Sequence, residues 1–146
     1  MAVKKVAVIG AGTMGNGITQ VFAHNGFPVI MIDVKDEFLE RGMAALDKSL
    51  SRLVKKEIID EEGKKEIIGR IETSSNLKAA ADADLVIEAV FESFDVKIDV
   101  FGKLDEICGD RTIFASNTSS ISITAIGAKT KRPEKFIGMH FMNPVP

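Results

Sequence analysis

The residues of this chain best suited to chemistry fall in a few short stretches. In "VAVIGAGTMGNGI", Gly10, Gly12 and Gly15 form G-x-G-x-x-G where an apolar run gives way to a helical pattern, the context in which that spacing binds phosphate. Gly10 permits a tight turn, Gly12 lets backbone approach a pyrophosphate, and Gly15 lets the helix press on the strand, leaving free amides at the helix start for the phosphates. Alone the motif also fits a structural glycine turn or another adenosine ligand such as S-adenosylmethionine. Asp33, 18 residues beyond Gly15 at the end of the next apolar run, can accept hydrogen bonds from both ribose hydroxyls of an adenosine and repels a 2′-phosphate. The pair favours a dinucleotide, NAD over NADP, although Lys35 stands nearby.

Further on, Glu88, Glu92 and Lys97 follow "DLVIEA", "ASNTSS" carries Ser119 and Ser120, and the closing "GMHFMNPVP" carries His140 and Asn143. A histidine there is a candidate acid or base; it could equally be a buried, satisfied core residue. Ser119 and Ser120 could be helix N-caps, and Ser120 before "ISITAI" reads that way. His24, in "HNG" at the close of the first helix, reads as structural, with Gly26 as the left-handed stop.

These residues need a scaffold that brings strand ends together. Short β-branched runs alternate with longer amphipathic segments, the pattern of an α/β fold: a doubly wound, mainly parallel Rossmann-type sheet. Strands are predicted at 4–10, 28–33, 69–74 (weakly), 84–89, 112–117 and 136–141. Helices are predicted over 14–25, 36–56, 60–68, 95–107 and 121–128. In the second helix Leu39, Met43, Leu46, Leu50 and Leu53 form one apolar stripe. Two helices between the second and third strands, where a crossover needs one, suggest a helical-pair insertion projecting from the sheet edge over a ligand. Lys48, Arg52 and Lys56 recur at steps of four on it, which spacing alone reads as a solvated charged face. In such a sheet, ligands lie at the carboxyl ends of the strands, where every candidate above sits.

At 146 residues, with 45% hydrophobic and 27% charged side chains, the chain has the size and composition of one globular domain. A net charge of -2 and a pI near 5.7 give no broad attraction to nucleic acid or anionic membrane. Val6 to Ile32 carry no Asp, Glu, Lys or Arg, but glycines, Asn16, Gln20, His24, Asn25 and Pro28 interrupt them, so neither a membrane span nor a signal peptide is expected. The single Cys108 forms no internal disulfide, which fits a reducing compartment. The expectation is a soluble, cytoplasmic protein.

Taken together, "VIGAGTMGNGI", "ADLVIEAVFE", "ASNTSSISIT" and "GMHFMNPVP" follow one another as they do in the short-chain L-3-hydroxyacyl-CoA dehydrogenases, a group that includes the 3-hydroxybutyryl-CoA dehydrogenases. The chain resembles their N-terminal domain over essentially its whole length. The resemblance implies that Gly10, Gly12 and Gly15 are the dinucleotide loop and Asp33 the acid on the adenine ribose. It implies that Glu92, Lys97 and Asn143 line the nicotinamide half of NAD, and that Ser49 and Lys56 contact the coenzyme A part of an acyl-CoA. Ser119 would hydrogen-bond the substrate's 3-oxygen beside the cofactor, and His140, 21 residues later, would be the catalytic base. No metal is implied. The implied reaction interconverts (3S)-3-hydroxyacyl-CoA plus NAD with 3-oxoacyl-CoA plus NADH.

In that family a downstream glutamate pairs with the histidine, and an all-helical domain closes over the substrate and forms most of the dimer interface. The expectation is that residues 1–146 are the cofactor domain without that lid, with little or no turnover alone. Two other readings remain open: a non-catalytic NAD-binding module, and a related β-hydroxyacid or sugar-nucleotide dehydrogenase.

Overall fold

The computed structural model of the protein describes residues 2–146. Among them, β1 (Val6–Ile9), β2 (Val29–Ile32), β3 (Ile71–Ser74), β4 (Leu85–Glu88), β5 (Ile113–Ser116) and β6 (Phe136–Gly138) form one sheet. The order is β3-β2-β1-β4-β5-β6 and every pairing is parallel. In β1, β2 and β4 all four residues are buried, as parallel strands covered on both faces must be. The weak prediction for β3 has the same cause. It is an edge strand whose Glu72 and Thr73 face solvent, so its sequence need not be apolar throughout.

Alternate residues of each strand enter different cores. Val6, Val8, Val29 and Ile87 face Ile18, Leu46, Leu50 and Ile67 of α1 (Thr13–His24), α2 (Asp36–Lys55) and α3 (Glu61–Gly69). Ala7, Ile9, Val86 and Phe114 face Phe101, Leu104 and Ile126 of α4 (Phe94–Ile107) and α5 (Ile123–Gly127). The two layers are the double winding expected from the sequence. Each Leu or Phe so buried contributes roughly 1.5–3 kcal/mol. Asn25 caps α1, His24 lies in its last turn, and Gly26 follows at φ 91°, in keeping with a helix stop. Among the described residues no helix is long and apolar enough to cross a membrane.

Three expectations are refined by the structure. The helical pair stands between β2 and β3 as expected, and its Leu46, Leu50 and Ile67 share a core with Ile18 of α1, because an exposed leucine stripe would leave that area in water. Lys64 joins the two helices by bonding Asp47 and Ser51, each at 2.9 Å. Second, α5 is capped by Ser122, which accepts from the Ala125 amide at 3.2 Å, and not by Ser120. The Thr118 hydroxyl already takes the amides of Ser120 (3.4 Å) and Ile121 (3.0 Å), and this turn delays the helix. Third, β6 ends at Gly138 and not at Phe141. Its neighbour β5 ends at Ser116, so past Met139, whose amide still reaches the Ser116 carbonyl at 2.9 Å, no strand remains to pair with. The chain instead crosses to α1, where Phe141 stacks edge-on against Phe22 and Val145 lies over Gly17.

Candidate functional site

β1 and β4 are adjacent, and from them the chain winds to opposite ends of the sheet; the crevice at their carboxyl ends is where such a fold binds ligands. A groove of about 540 Å³ lies there, with Gly10 to Gly12, Asp33 and Ala89 to Phe91 in its walls. The glycines divide the work. Gly10 has φ 108°, and a Cβ on it would stand 2.6 Å from the Ala89 carbonyl oxygen. On Gly15 a Cβ would stand 1.9 Å from the Gly10 carbonyl oxygen, so α1 sits on the loop only because that side chain is absent. A Cβ on Gly12 would meet nothing within 4 Å; this glycine opens the groove. No side chain caps the start of α1 and no acid lies in its first turn, leaving amides and a positive dipole end for an anion.

Asp33 accepts from the Ala11 amide at 2.8 Å and the Val34 amide at 2.7 Å. These bonds tie the acid to the glycine loop and use one lone pair on each oxygen, leaving further acceptor capacity toward the groove. Val34 and Phe91, both in the groove wall, are each 79% exposed. Exposed apolar side chains in a groove wall mark a place for a ligand to cover. The residues present thus fit a dinucleotide.

Beneath the loop after β4 lies a charged network. Glu88 is 0% exposed and Lys97 1%, their charged ends 2.5 Å apart. The Ser116 hydroxyl donates to Glu88 at 2.6 Å and the Val90 amide at 2.8 Å. Lys97 also reaches Glu92 at 3.4 Å, and the Thr118 hydroxyl donates to that same Glu92 oxygen at 2.6 Å. Burial pushes the Glu92 carboxyl up, but the Thr118 hydroxyl, the Lys97 ammonium and the Ser119 amide outweigh it and hold the group below its ordinary 4.5. Lys97 therefore lies behind the groove wall, with Glu92 between it and solvent.

Ser119 and His140 leave the ends of the adjacent strands β5 and β6, three residues past Ser116 and two past its partner Gly138. Both are exposed, so His140 is not the buried core histidine that the sequence left open. Asn117, which sequence reading missed, accepts from the Phe141 amide at 2.8 Å and so ties the His140 segment to the Ser119 loop. Exposed Asn143 is carried toward α1 by Val145, which packs at Gly17. Ser49 is half-buried on α2, and exposed Lys56 caps that helix, both away from the residues lining the groove. Thr118 and Ser116 were also missed, since small hydroxyl residues in a serine-rich run carry no pattern. The one visible signal was a charged residue, Glu88, closing a wholly buried strand.

Comparison with known proteins adds to this geometry. Residues 5–146 match the family described as 3-hydroxyacyl-CoA dehydrogenase, NAD binding domain. A 3-hydroxybutyryl-CoA dehydrogenase of Bradyrhizobium diazoefficiens is 49% identical over 144 residues, covering 99% of this chain and 49% of that protein. One from Clostridioides difficile is 48% identical over 142 residues, covering 97% and 50%. The crystal structure of (S)-3-hydroxybutyryl-CoA dehydrogenase from Ralstonia eutropha superposes with a TM-score of 0.97 at 46% identity, covering 99% of this chain and 51% of that one. The chain spans about half the length of these relatives. A match that leaves only the first four residues outside it, with relatives at nearly half identity, decides membership: this chain belongs to the 3-hydroxyacyl-CoA dehydrogenase NAD binding domain family.

Proposed function

We propose that residues 1–146 are the cofactor domain of an NAD-dependent (3S)-3-hydroxyacyl-CoA dehydrogenase, acting on an acyl-CoA in the cytoplasm. The single observation that carries this is the groove at the β1–β4 switch, where Gly12 leaves open space and Asp33 stands at the wall. In this reading the amides at the start of α1 bind the pyrophosphate and the Asp33 carboxylate accepts from the adenine ribose. Val34 and Phe91 flank the adenine. Glu92, with Lys97 behind it, and Asn143 border the nicotinamide. When bound, NAD supplies the hydride acceptor.

Around it the chain's own residues orient the substrate and move the proton. Ser119 donates to the substrate's 3-oxygen, and His140 takes the hydroxyl proton during oxidation and returns it during reduction. Their emergence from adjacent strand ends, tied by Asn117, supports that pairing. Ser49 and Lys56 on the α2 side hold the coenzyme A portion, Lys56 by charge. The other half of the family's proteins would supply the helical domain that shares the substrate and most of the dimer contact.

Calorimetry on the 146-residue chain tests this in two steps. NADH is expected to bind, and acetoacetyl-CoA to bind saturably once NADH is present. NADH binding with no acetoacetyl-CoA binding would reduce the assignment to a dinucleotide module. No NADH binding by the folded chain would overturn it.

A further inference from the structure

Between the acid of one loop and the serine of the next stands Thr118, to which neither the sequence nor the family match gives a role. It is buried, and all its hydroxyl's bonding capacity is in use. The proton goes to Glu92 at 2.6 Å, and the lone pairs accept the amides of Ile121 at 3.0 Å and Ser120 at 3.4 Å. Its own amide donates to the Ser116 hydroxyl at 3.3 Å, and Ser116 donates to Glu88 at 2.6 Å. Glu88 holds Lys97, and Lys97 holds Glu92. The ring of contacts therefore closes: Glu88, Glu92 and Lys97 on the β4 side are fixed to Ser116 and Thr118 on the β5 side, the Thr118 hydroxyl making one of the two links and the Ser116 hydroxyl the other. Ser119, the next residue, is carried by the turn that the Thr118 hydroxyl closes.

We propose that Thr118 is a positioning residue, its hydroxyl setting Glu92 and the Ser119 turn relative to one another so that both face the nicotinamide end of the site. The inference rests on the function proposed above. A threonine that merely caps a turn needs no carboxylate on its proton; here the short bond to Glu92 crosses between loops that are 26 residues apart in sequence. Charge-assisted bonds of this kind are the stronger ones, and losing one leaves a carboxylate short of a donor in a partly buried place.

The test uses Thr118→Val, which keeps the shape and removes the hydroxyl, and Thr118→Ser, which keeps the hydroxyl. NADH and ADP-ribose, which lacks the nicotinamide ring, are titrated into each chain by calorimetry. For Thr118→Val the expected result is about tenfold weaker NADH binding, with ADP-ribose within about twofold of the parent because Asp33 and the glycine loop are untouched. Thr118→Ser is expected to restore NADH affinity to within about twofold, since it retains the bond to Glu92. Unchanged NADH binding by Thr118→Val, equal losses for both ligands, or a serine variant no better than the valine would each overturn the inference while leaving the proposed function standing. A parent chain that binds neither ligand would overturn both.

Discussion

Asp33 faces two ways. Its carboxylate anchors the Ala11 and Val34 amides and in the proposed complex also receives the ribose. Asp33→Arg removes the acceptor and adds a charge suited to a 2′-phosphate. NAD affinity is expected to fall about tenfold or more, since hydrogen bonds to a charged group are worth roughly 1.5–3 kcal/mol, and discrimination against NADP to shrink. Calorimetry with both cofactors checks this, and unchanged NAD affinity would sink the assignment. Lys56→Glu belongs to the same scale. Lys56 is exposed at the end of α2, and an exposed ion pair is worth roughly 0.2–1 kcal/mol. Acyl-CoA binding is therefore expected to weaken by up to about fivefold, less in high salt, with NADH binding unchanged. The place of Asp33 beside the glycine loop was legible from its spacing to the glycine motif and its position at the end of the second strand. The buried contacts of Lys97 were not legible, because only the fold brings Glu88, Glu92 and Ser116 around it.

At the level of elements, the glycine motif looks uniform in sequence, yet its members do different things. Gly15→Ala would set a methyl 1.9 Å from the Gly10 carbonyl, so α1 must lift from the loop. Overpacking of this kind costs roughly 1–3 kcal/mol. The expected result is a Tm lower by about 5–10 °C together with weakened NADH binding. Gly12→Ala meets no protein atom within 4 Å and is expected to leave Tm unchanged while weakening NADH binding, because its methyl enters the groove. Thermal unfolding and NADH titration of both variants give that contrast, and a normal Tm for Gly15→Ala would contradict the packing described. Helix positions were legible from periodicity: α3, predicted from residue 60, is capped there by Asp60, which accepts from the Gly63 amide at 2.7 Å. The end of β6 and the cap of α5 were not, because each depends on a neighbour: where β5 stops, and which amides Thr118 has already taken.

For the molecule as a whole, the ionised carboxylates that join distant segments set an acid limit. Asp84 is 2% exposed, accepts the Lys4 and Lys5 amides at 2.8 and 3.1 Å, and meets Arg111 at 3.0 Å. The Lys4 amide above all holds it below its ordinary 3.8 against the upward push of burial. Glu92 is likewise held below its ordinary 4.5, the Thr118 hydroxyl and Lys97 overcoming burial. Both folded values lie below the unfolded ones, so the stability they confer is present above those ordinary values and is lost as pH falls through the lower folded ones. Tm is expected to be level from about pH 7 to 5 and to fall below about pH 4.5, less steeply in Asp84→Asn; a decline starting above pH 6 would point to other groups. The sequence by itself determined the fold class, the order of strands and helices along the chain, the glycine loop and its acid, because these follow from period, turn chemistry and spacing within a few dozen residues. Only the tertiary structure decided that α2 and α3 lie down on α1, that Lys97 stands behind Glu92, and that Thr118 joins the two loops. Those arrangements depend on contacts between residues remote in sequence, and burial and hydrogen bonding select such contacts only once the sheet has brought its strand ends together.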